Sequence, residues 1–373
     1  MNIKAIEPTP SPNTMKVLLD QELKSNERNN YTKDNREQAP DVIKLILDIP
    51  GVKGVYHVAD FLAIERNARF EWQGILSSVR EVFGEDATSQ STSNKAVTDT
   101  FGEVKVFVQF FKGIPMQLKI TDGQAEKRVG LHERFKKAAM SAETASSNLV
   151  MERQWKEQGV RYGTLDEIGQ EVGDEISAAY PEDRLKRLVS QALSKTEQQV
   201  ARQSYKVTLD MLQDEDWTKR YAHLEQMNPT EEDLPVLEKA LHDEKPSIRR
   251  LATVYLGMIE NEAVLPSLFK ALKDSSVTVR RTAGDCLSDI GNEKAIDPMI
   301  EALKDKNKLV RWRAAMFLYE VGNESALPAL KEAENDPEFE VSMQIKLAIE
   351  RIEDGEEAKG SVWKQMTEAR KSE

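Results

Sequence analysis

Apolar positions recur along this chain with more than one rhythm, and each rhythm predicts a different element. Val42, Ile43, Ile46 and Leu47 keep to one face of a helix that stops at Pro50-Gly51. Val52–Val58 and Phe61–Arg66 are rich in β-branched and aromatic residues and flank Ala59-Asp60, which predicts a hairpin. Trp72, Ile75, Leu76, Val79, Val82 and Phe83 follow as a wide apolar stripe, a second helix packed across that hairpin.

From Val104 the rhythm becomes two. Val104, Val106, Val108 and Phe110 alternate with Lys105, Phe107, Gln109 and Phe111, and Met116, Leu118 and Ile120 alternate with Gln117, Lys119 and Thr121. Lys112-Gly113-Ile114-Pro115 is the turn between these strands. A helix carrying Leu131, Phe135, Ala138 and Ala139 comes next. Thr164-Leu165-Asp166-Glu167 has the form of a capping box, and Ile168, Val172, Ile176 and Ala179 make a helical face that ends before Pro181. Leu185, Leu188, Val189, Ala192 and Leu193 predict one further helix.

The remainder repeats every 31 residues. Asp243, Asp274, Asp305 and Asp336 stand in register, as do Leu234, Leu265, Ile296 and Leu327, and Leu256, Leu287, Leu318 and Ile349. A fixed period of this length marks stacked units that bury their apolar faces against their neighbours. Each unit reads as a helical hairpin, with Pro235 and Pro266 near helix starts, where a missing N–H is tolerated. The fourth unit departs, carrying Ser342 where the others carry Arg249, Arg280 and Arg311.

Composition then narrows the chemistry. The 373 residues allow two or three folded units, and no stretch approaches the ~20 apolar residues of a membrane span. The proline- and charge-broken start, MNIKAIEPTPSPNTMK, is not a signal peptide, so the expected location is the cytoplasm. The net charge of -12 is uneven: -3 over residues 1–86, +1 over 87–205 and -10 over 206–373. Acidity in the repeats opposes phosphate-backbone binding and suits basic protein partners. The expectation is therefore a protein partner, with no nucleic acid and no membrane. A single cysteine allows no internal disulfide and no CxxC.

Repeat register assigns the candidate residues. Cys286 aligns with Tyr255, Phe317 and Ala348, an apolar position, and reads as a buried small hydrophobe rather than a reactive thiol. Arg249, Arg280 and Arg311 follow Asp243, Asp274 and Asp305 by six residues, a spacing that lets each guanidinium reach back to the carboxylate of its own turn as a structural ladder. Arg250, Arg281, Trp312 and Arg313 lack such partners and are expected on one exposed helical face, a cationic and aromatic surface for a protein partner. Replacing these arginines is then expected to weaken partner binding and leave stability unchanged. His132, and Arg161-Tyr162 between Gly159 and Gly163, are read as structural, with a pocket in the middle region as the alternative. No P-loop, GxGxxG, GxSxG or HExxH is present, so no catalytic, cofactor-binding or metal-binding residue is assigned and no cofactor is expected.

Three resemblances follow from these motifs. Thr9-Pro10-Ser11-Pro12-Asn13-Thr14-Met15-Lys16, Ile49-Pro50-Gly51-Val52, Phe61 and Trp72 resemble the amino-terminal domain of Nfu-type iron-sulfur scaffold proteins. That family holds its cluster with a CxxC in a separate domain, absent here, so the resemblance implies the fold and a partner-binding role but no cluster binding. The 31-residue units, with Val279-Arg280, Ala283, Leu287 and Ile290-Gly291-Asn292-Glu293, resemble HEAT-like repeats of the phycobilisome-lyase type. A related HEAT-repeat hydroxylase family holds two irons with His-Glu pairs. Here Asn261-Glu262, Asn292-Glu293 and Asn323-Glu324 stand instead, and asparagine is a poor imidazole substitute.

Together the parts resemble the conserved virulence factor C family of Gram-positive bacteria, which implies support of virulence-factor or haemolysin output. The expected organisation is an Nfu-like α+β domain (1–86), a linker (87–100), an α+β middle domain (101–205), a helical cap (206–228), an α-solenoid of four HEAT-like hairpins (229–352) and a charged tail (353–373). The expected function is a non-enzymatic interaction scaffold that binds a protein through the HEAT-like groove, with the Nfu-like domain as a second contact. Two alternatives stand: an accessory factor in iron-sulfur cluster assembly or delivery, and an enzyme with its pocket in 101–205.

Overall fold

The structure is a computed structural model. It describes residues 2–9, 11, 13–23, 28–67, 70–84, 103–123, 125–143, 151–194, 205–259 and 261–355. The expected linker lies outside the described residues, as does the charged tail beyond residue 355.

The strands are β1 Ile3–Pro8, β2 Thr14–Leu19, β3 Arg28–Thr32, β4 Val52–Val58, β5 Phe61–Arg66, β6 Glu103–Phe111, β7 Ile114–Thr121, β8 Glu126–Gly130 and β9 Gln154–Tyr162. The helices are α1 Asp41–Asp48, α2 Trp72–Val82, α3 Glu133–Glu143, α4 Leu165–Ala179, α5 Glu182–Leu193 and α6 Trp217–Glu225, then the repeat pairs α7 Leu234–Ala240 with α8 Pro246–Met258, α9 Leu265–Ala271 with α10 Val277–Ile290, α11 Ile296–Ala302 with α12 Lys308–Val321, and α13 Leu327–Ala333 with α14 Phe339–Glu353. An α+β amino-terminal half followed by an α-solenoid of helical hairpins is thus the fold. The chain divides into two units, residues 1–101 with 287–373, and residues 102–286.

In the first unit a five-stranded antiparallel sheet runs in the order β1-β2-β5-β4-β3. The alternation in β2 and β5 turns Val17, Leu62 and Ile64 inward, where they join Ile43 and Ile46 of α1 and Trp72, Ile75 and Val79 of α2 in one core. Gly51 takes φ +96°, and a Cβ there would stand 2.6 Å from Phe70, so glycine is required where the chain leaves α1. Phe339 and Met343 of α14 pack against the same core. Arg66 Nη1 donates to Glu340 Oε1 (2.6 Å) and to the Phe70 carbonyl (2.9 Å), with the guanidinium 5.1 Å above the Trp72 ring. The last repeat helix and the amino-terminal domain therefore share a core and a buried ion pair.

The second unit is built on an antiparallel sheet in the order β8-β7-β6-β9. Val104, Val106, Val108, Leu118 and Ile120 face Ile168 and Val172 of α4, while Phe111 and Ile114 pack with Phe135 of α3 and Leu185 of α5. The capping box forms as expected, with Thr164 and Glu167 each satisfying the other's backbone N–H. Asn261, Asn292 and Asn323 prove to be caps, each side chain accepting from the N–H two residues on, at Ala263, Lys294 and Ser325.

Candidate interaction surface

Six-residue Asp-to-Arg spacing does build a ladder, but a different one from that expected. Arg249 gives its own turn only a backbone contact, donating from Nη1 to the carbonyls of Asp243 (2.8 Å) and Glu244 (3.1 Å). Its Nε and Nη2 donate to the carboxylate of Asp274 in the following repeat, at 2.7 and 2.9 Å. Arg311 repeats the pattern, binding the Asp305 carbonyl at 2.9 Å and both oxygens of Asp336 at 2.7 and 3.0 Å. Arg280 likewise donates to the Asp274 carbonyl (2.8 Å). Geometry explains the correction: a bidentate carboxylate needs both guanidinium edges, and the carboxylate of a residue's own turn is already turned inward. Asp243, Asp274, Asp305 and Asp336 each accept from the backbone N–H two residues on, at 2.7–2.9 Å.

The ladder also starts earlier than the 31-residue period shows. Arg220 of α6 donates to both carboxylate oxygens of Asp243, at 2.7 and 2.9 Å, and to the Asp214 carbonyl at 2.6 Å. Asp214 and Arg220 have the same six-residue spacing, which was the available signal; the 29 residues from Arg220 to Arg249 hid it from the period. At the other end Ser342 replaces the arginine and donates to the Glu334 carbonyl (2.7 Å). The hydrogen bonds that Asp243, Asp274 and Asp336 accept hold the Arg220, Arg249 and Arg311 guanidinium pKa values above the ordinary arginine range.

The second set of arginines is not exposed. Arg281 and Trp312 are each 2% accessible, Arg313 is buried at 8%, and the Arg250 side chain retains 14%. Two of them contact the middle domain of their own unit. Arg250 Nη2 lies 3.8 Å from Glu175 Oε2 on α4, a carboxylate that also receives Arg161 Nη2 at 2.7 Å and Arg161 Nη1 at 3.3 Å. Arg161 Nη1 is in addition 3.3 Å from Glu171. Arg281 Nη2 donates to Tyr162 Oη at 3.0 Å, and its guanidinium stands 4.7 Å over the Tyr162 ring. Arg313 lies 5.2 Å over the Trp312 ring.

Electrostatics in this cluster follow from burial. Desolvation opposes the Glu175 charge, yet Arg250 and Arg161 outweigh it and hold the carboxyl below the ordinary glutamate range. Glu171 is pushed up, by burial and then by Glu175 beside it. Burial and the Glu175 charge push the Tyr221 hydroxyl well above its ordinary value.

Arg161 and Tyr162, adjacent on strand β9, alternate in direction, and this is what lets one strand meet two helical repeats. Arg161 joins the Glu175 cluster and Tyr162 meets Arg281. His132 lies apart from both, exposed at the start of α3. Cys286 is buried, with Sγ 3.5 Å from the Thr253 carbonyl. No group of three or more His, Cys, Asp or Glu that could hold a metal ion occurs among the described residues, and no described helix is long and apolar enough to cross a membrane.

Comparison with known proteins follows these parts. Conserved virulence factor C of Staphylococcus aureus (strain MRSA252) is 51% identical over 98% of this chain and 99% of its own length. The chain belongs to the conserved virulence factor C family. YpgR of Bacillus subtilis (strain 168) is 68% identical over 100% of this chain and 99% of its own length. Three family profiles match this family member in sequence: one described as the scaffold protein Nfu/NifU N terminal over residues 3–90, one described as a virulence factor over 109–189, and HEAT repeats over 205–283 and 265–350. Among solved structures, the crystal structure of SAV1430 from Staphylococcus aureus is 35% identical and covers 22% of this chain and 99% of that one, with a TM-score of 0.21. The conserved virulence factor C family is thus a virulence-associated repeat family, and in this member the segment matched by the virulence-factor profile contains the Arg161-Tyr162 strand, pairs Glu171 with Arg161 and supplies Glu175 to Arg250.

Proposed function

We propose that this family member is a non-enzymatic, cytoplasmic protein-interaction scaffold that supports virulence-factor output. The observation that carries the reading is the use made of the second arginine row. Arg250 and Arg281, the residues a solenoid offers on the inner face of its second helices, are spent on Glu175 and Tyr162 of the middle domain. The first two repeats therefore act as a frame for the middle domain, and the surface offered to a partner is carried by that domain and by the Nfu-like sheet. HEAT repeats suit this role, because Arg249 and Arg311 each tie one repeat to the next while other faces stay available to further domains.

The test is affinity capture with the tagged full chain, followed by reconstitution from purified components. A scaffold returns one or a few polypeptides at near-stoichiometric amounts that rebind when pure. Turnover of a small molecule from a metabolite extract, with no polypeptide co-purifying, contradicts the reading.

A further inference from the structure

Side chains of the middle domain and of the helix that precedes the repeats line an open cavity of about 610 Å³, within the range that takes a small organic molecule. Part of its lining is aromatic. Tyr205 and His223 lie parallel, with ring centroids 5.9 Å apart and planes at 5°, and Tyr205 Oη stands 2.8 Å from His223 Nδ1. Trp217 borders the same space.

Another part is cationic. Arg134 of α3 donates from Nη2 to the Ser177 carbonyl at 2.6 Å, while its Nε is buried and has no acceptor among the described residues. Arg184 is committed to the Ala179 carbonyl and to Glu225, both at 2.6 Å. Arg187, three residues on in α5, stands exposed in the lining, and Lys219 pairs with Asp214 at 3.2 Å. Three carboxylates also line the cavity, all exposed. Asp174 accepts from Gln170 (3.0 Å) and Glu182 lies 3.8 Å from Lys186. Asp183 occupies the first turn of α5, where the helix end favours negative charge.

The Arg134 and Arg187 guanidinium groups bring positive charge to the lining, and an acidic group entering the cavity meets charge-assisted donors there. Flat rings beside it favour a flat ligand. We propose that this cavity binds a small organic anion with a planar ring, its acidic group meeting Arg134 and Arg187 and its ring lying against Tyr205 and His223. Such a ligand bridges α3 and α5 of the middle domain to α6, the helix that begins the Arg–Asp ladder, so its occupancy tightens the frame on which the repeats start.

The experiment titrates the full chain with adenosine 5′-monophosphate and phenyl phosphate, by calorimetry and by tryptophan fluorescence, with adenosine and inorganic phosphate as the two halves. At least one ring-bearing anion binds at submillimolar concentration, and each half binds at least about tenfold more weakly. Arg187→Gln, at an exposed position, leaves the melting temperature unchanged and weakens binding roughly tenfold, the worth of one charge-assisted hydrogen bond. Trp217→Phe abolishes the fluorescence response and keeps the heat. Absence of binding by both ring-bearing anions, equal affinity for adenosine and its monophosphate, or unchanged affinity in Arg187→Gln overturns the proposal.

Discussion

Arg249 binds the carboxylate of Asp274 one repeat ahead and the carbonyl of Asp243 in its own turn, so one side chain fixes both the turn it follows and the repeat that comes next. Asp274 in turn caps its own loop through the Ser276 N–H. Ladder and loop are therefore coupled at the Arg220–Asp243, Arg249–Asp274 and Arg311–Asp336 steps.

Arg249→Ala leaves Asp274 unpaired in a site where its side chain is only 11% exposed. Removing one partner of a buried pair costs about 3–5 kcal/mol, and the lower end applies here. Lys304→Ala, which removes the exposed pair with Glu332, costs about 0.5 kcal/mol. Equilibrium urea unfolding of both variants checks the contrast; equal small losses would show that the ladder adds no stability.

Gly257 lies against Cys286, and a Cβ on it would stand 2.4 Å from the sulfur. Gly257→Ala therefore overpacks the contact and is expected to destabilise by roughly 1–3 kcal/mol. Cys286→Ala alone folds normally with a loss of about 1 kcal/mol, and combined with Gly257→Ala it recovers part of the damage, since the Cβ of residue 286 still stands 2.9 Å from the new methyl group. Additive losses in the double variant would mean that the two residues do not share the space.

Glu175 carries the acid sensitivity of the buried cluster. Its pKa is depressed in the folded state, so its contribution to stability is complete above the ordinary glutamate pKa and is lost as pH falls through the folded value. Glu171, raised in the folded state, works in the opposite sense and disfavours the fold as it ionises. Glu175→Gln should flatten the acid limb of the stability profile, and Glu171→Gln should raise stability at neutral pH relative to acid. Denaturant midpoints measured from pH 3 to pH 7 decide this; an unchanged acid limb in Glu175→Gln goes against it.

At the end of the solenoid, Arg66→Met removes the cation that Glu340 meets inside the first unit, where the two side chains are 1% and 9% exposed. The expected cost is about 3 kcal/mol, and Arg66→Met combined with Glu340→Met should regain part of it, because an apolar pair replaces an orphaned carboxylate. Urea unfolding of the single and double variants provides the check, and a double variant weaker than the single one would contradict it.

The elements that bury a periodic face were legible in the sequence, because alternation at two or at 3.6 is what burial on one side produces. Both middle-domain strands around Lys112-Gly113, the helices after them and the repeat hairpins came from that signal. β8 and β9 did not, since Glu126–Gly130 and Gln154–Tyr162 are mostly exposed, have no alternating apolar face and contribute little to the core. β3 was hidden for a related reason, since Arg28–Thr32 is mostly polar and only Tyr31 packs against the core, whereas β2 turns Met15, Val17 and Leu19 inward and carried a period-two signal.

The second arginine row was misread from the same source. The period of 31 records what one repeat does to the next and is silent about elements outside the array. Arg250 and Arg281 answer to Glu175 and Tyr162, which lie in the preceding domain. In α12, Trp312 and Arg313 are buried along with Val310, Ala314, Ala315 and Phe317, a helix covered nearly all round that has no polar face to read.

The claim that the second arginine row holds the chain's own middle domain is tested most directly by a double-mutant cycle on Arg281 and Tyr162. Arg281→Met, Tyr162→Leu and the pair are unfolded in urea, and the coupling energy is taken from the difference. If the contact at 3.0 Å joins the domain to the repeat, each single variant loses stability and the coupling is about 1 kcal/mol or more. Single variants that keep full stability, with losses additive within about 0.5 kcal/mol and with affinity for a captured partner reduced in Arg281→Met, would return this arginine to an external surface and contradict the account.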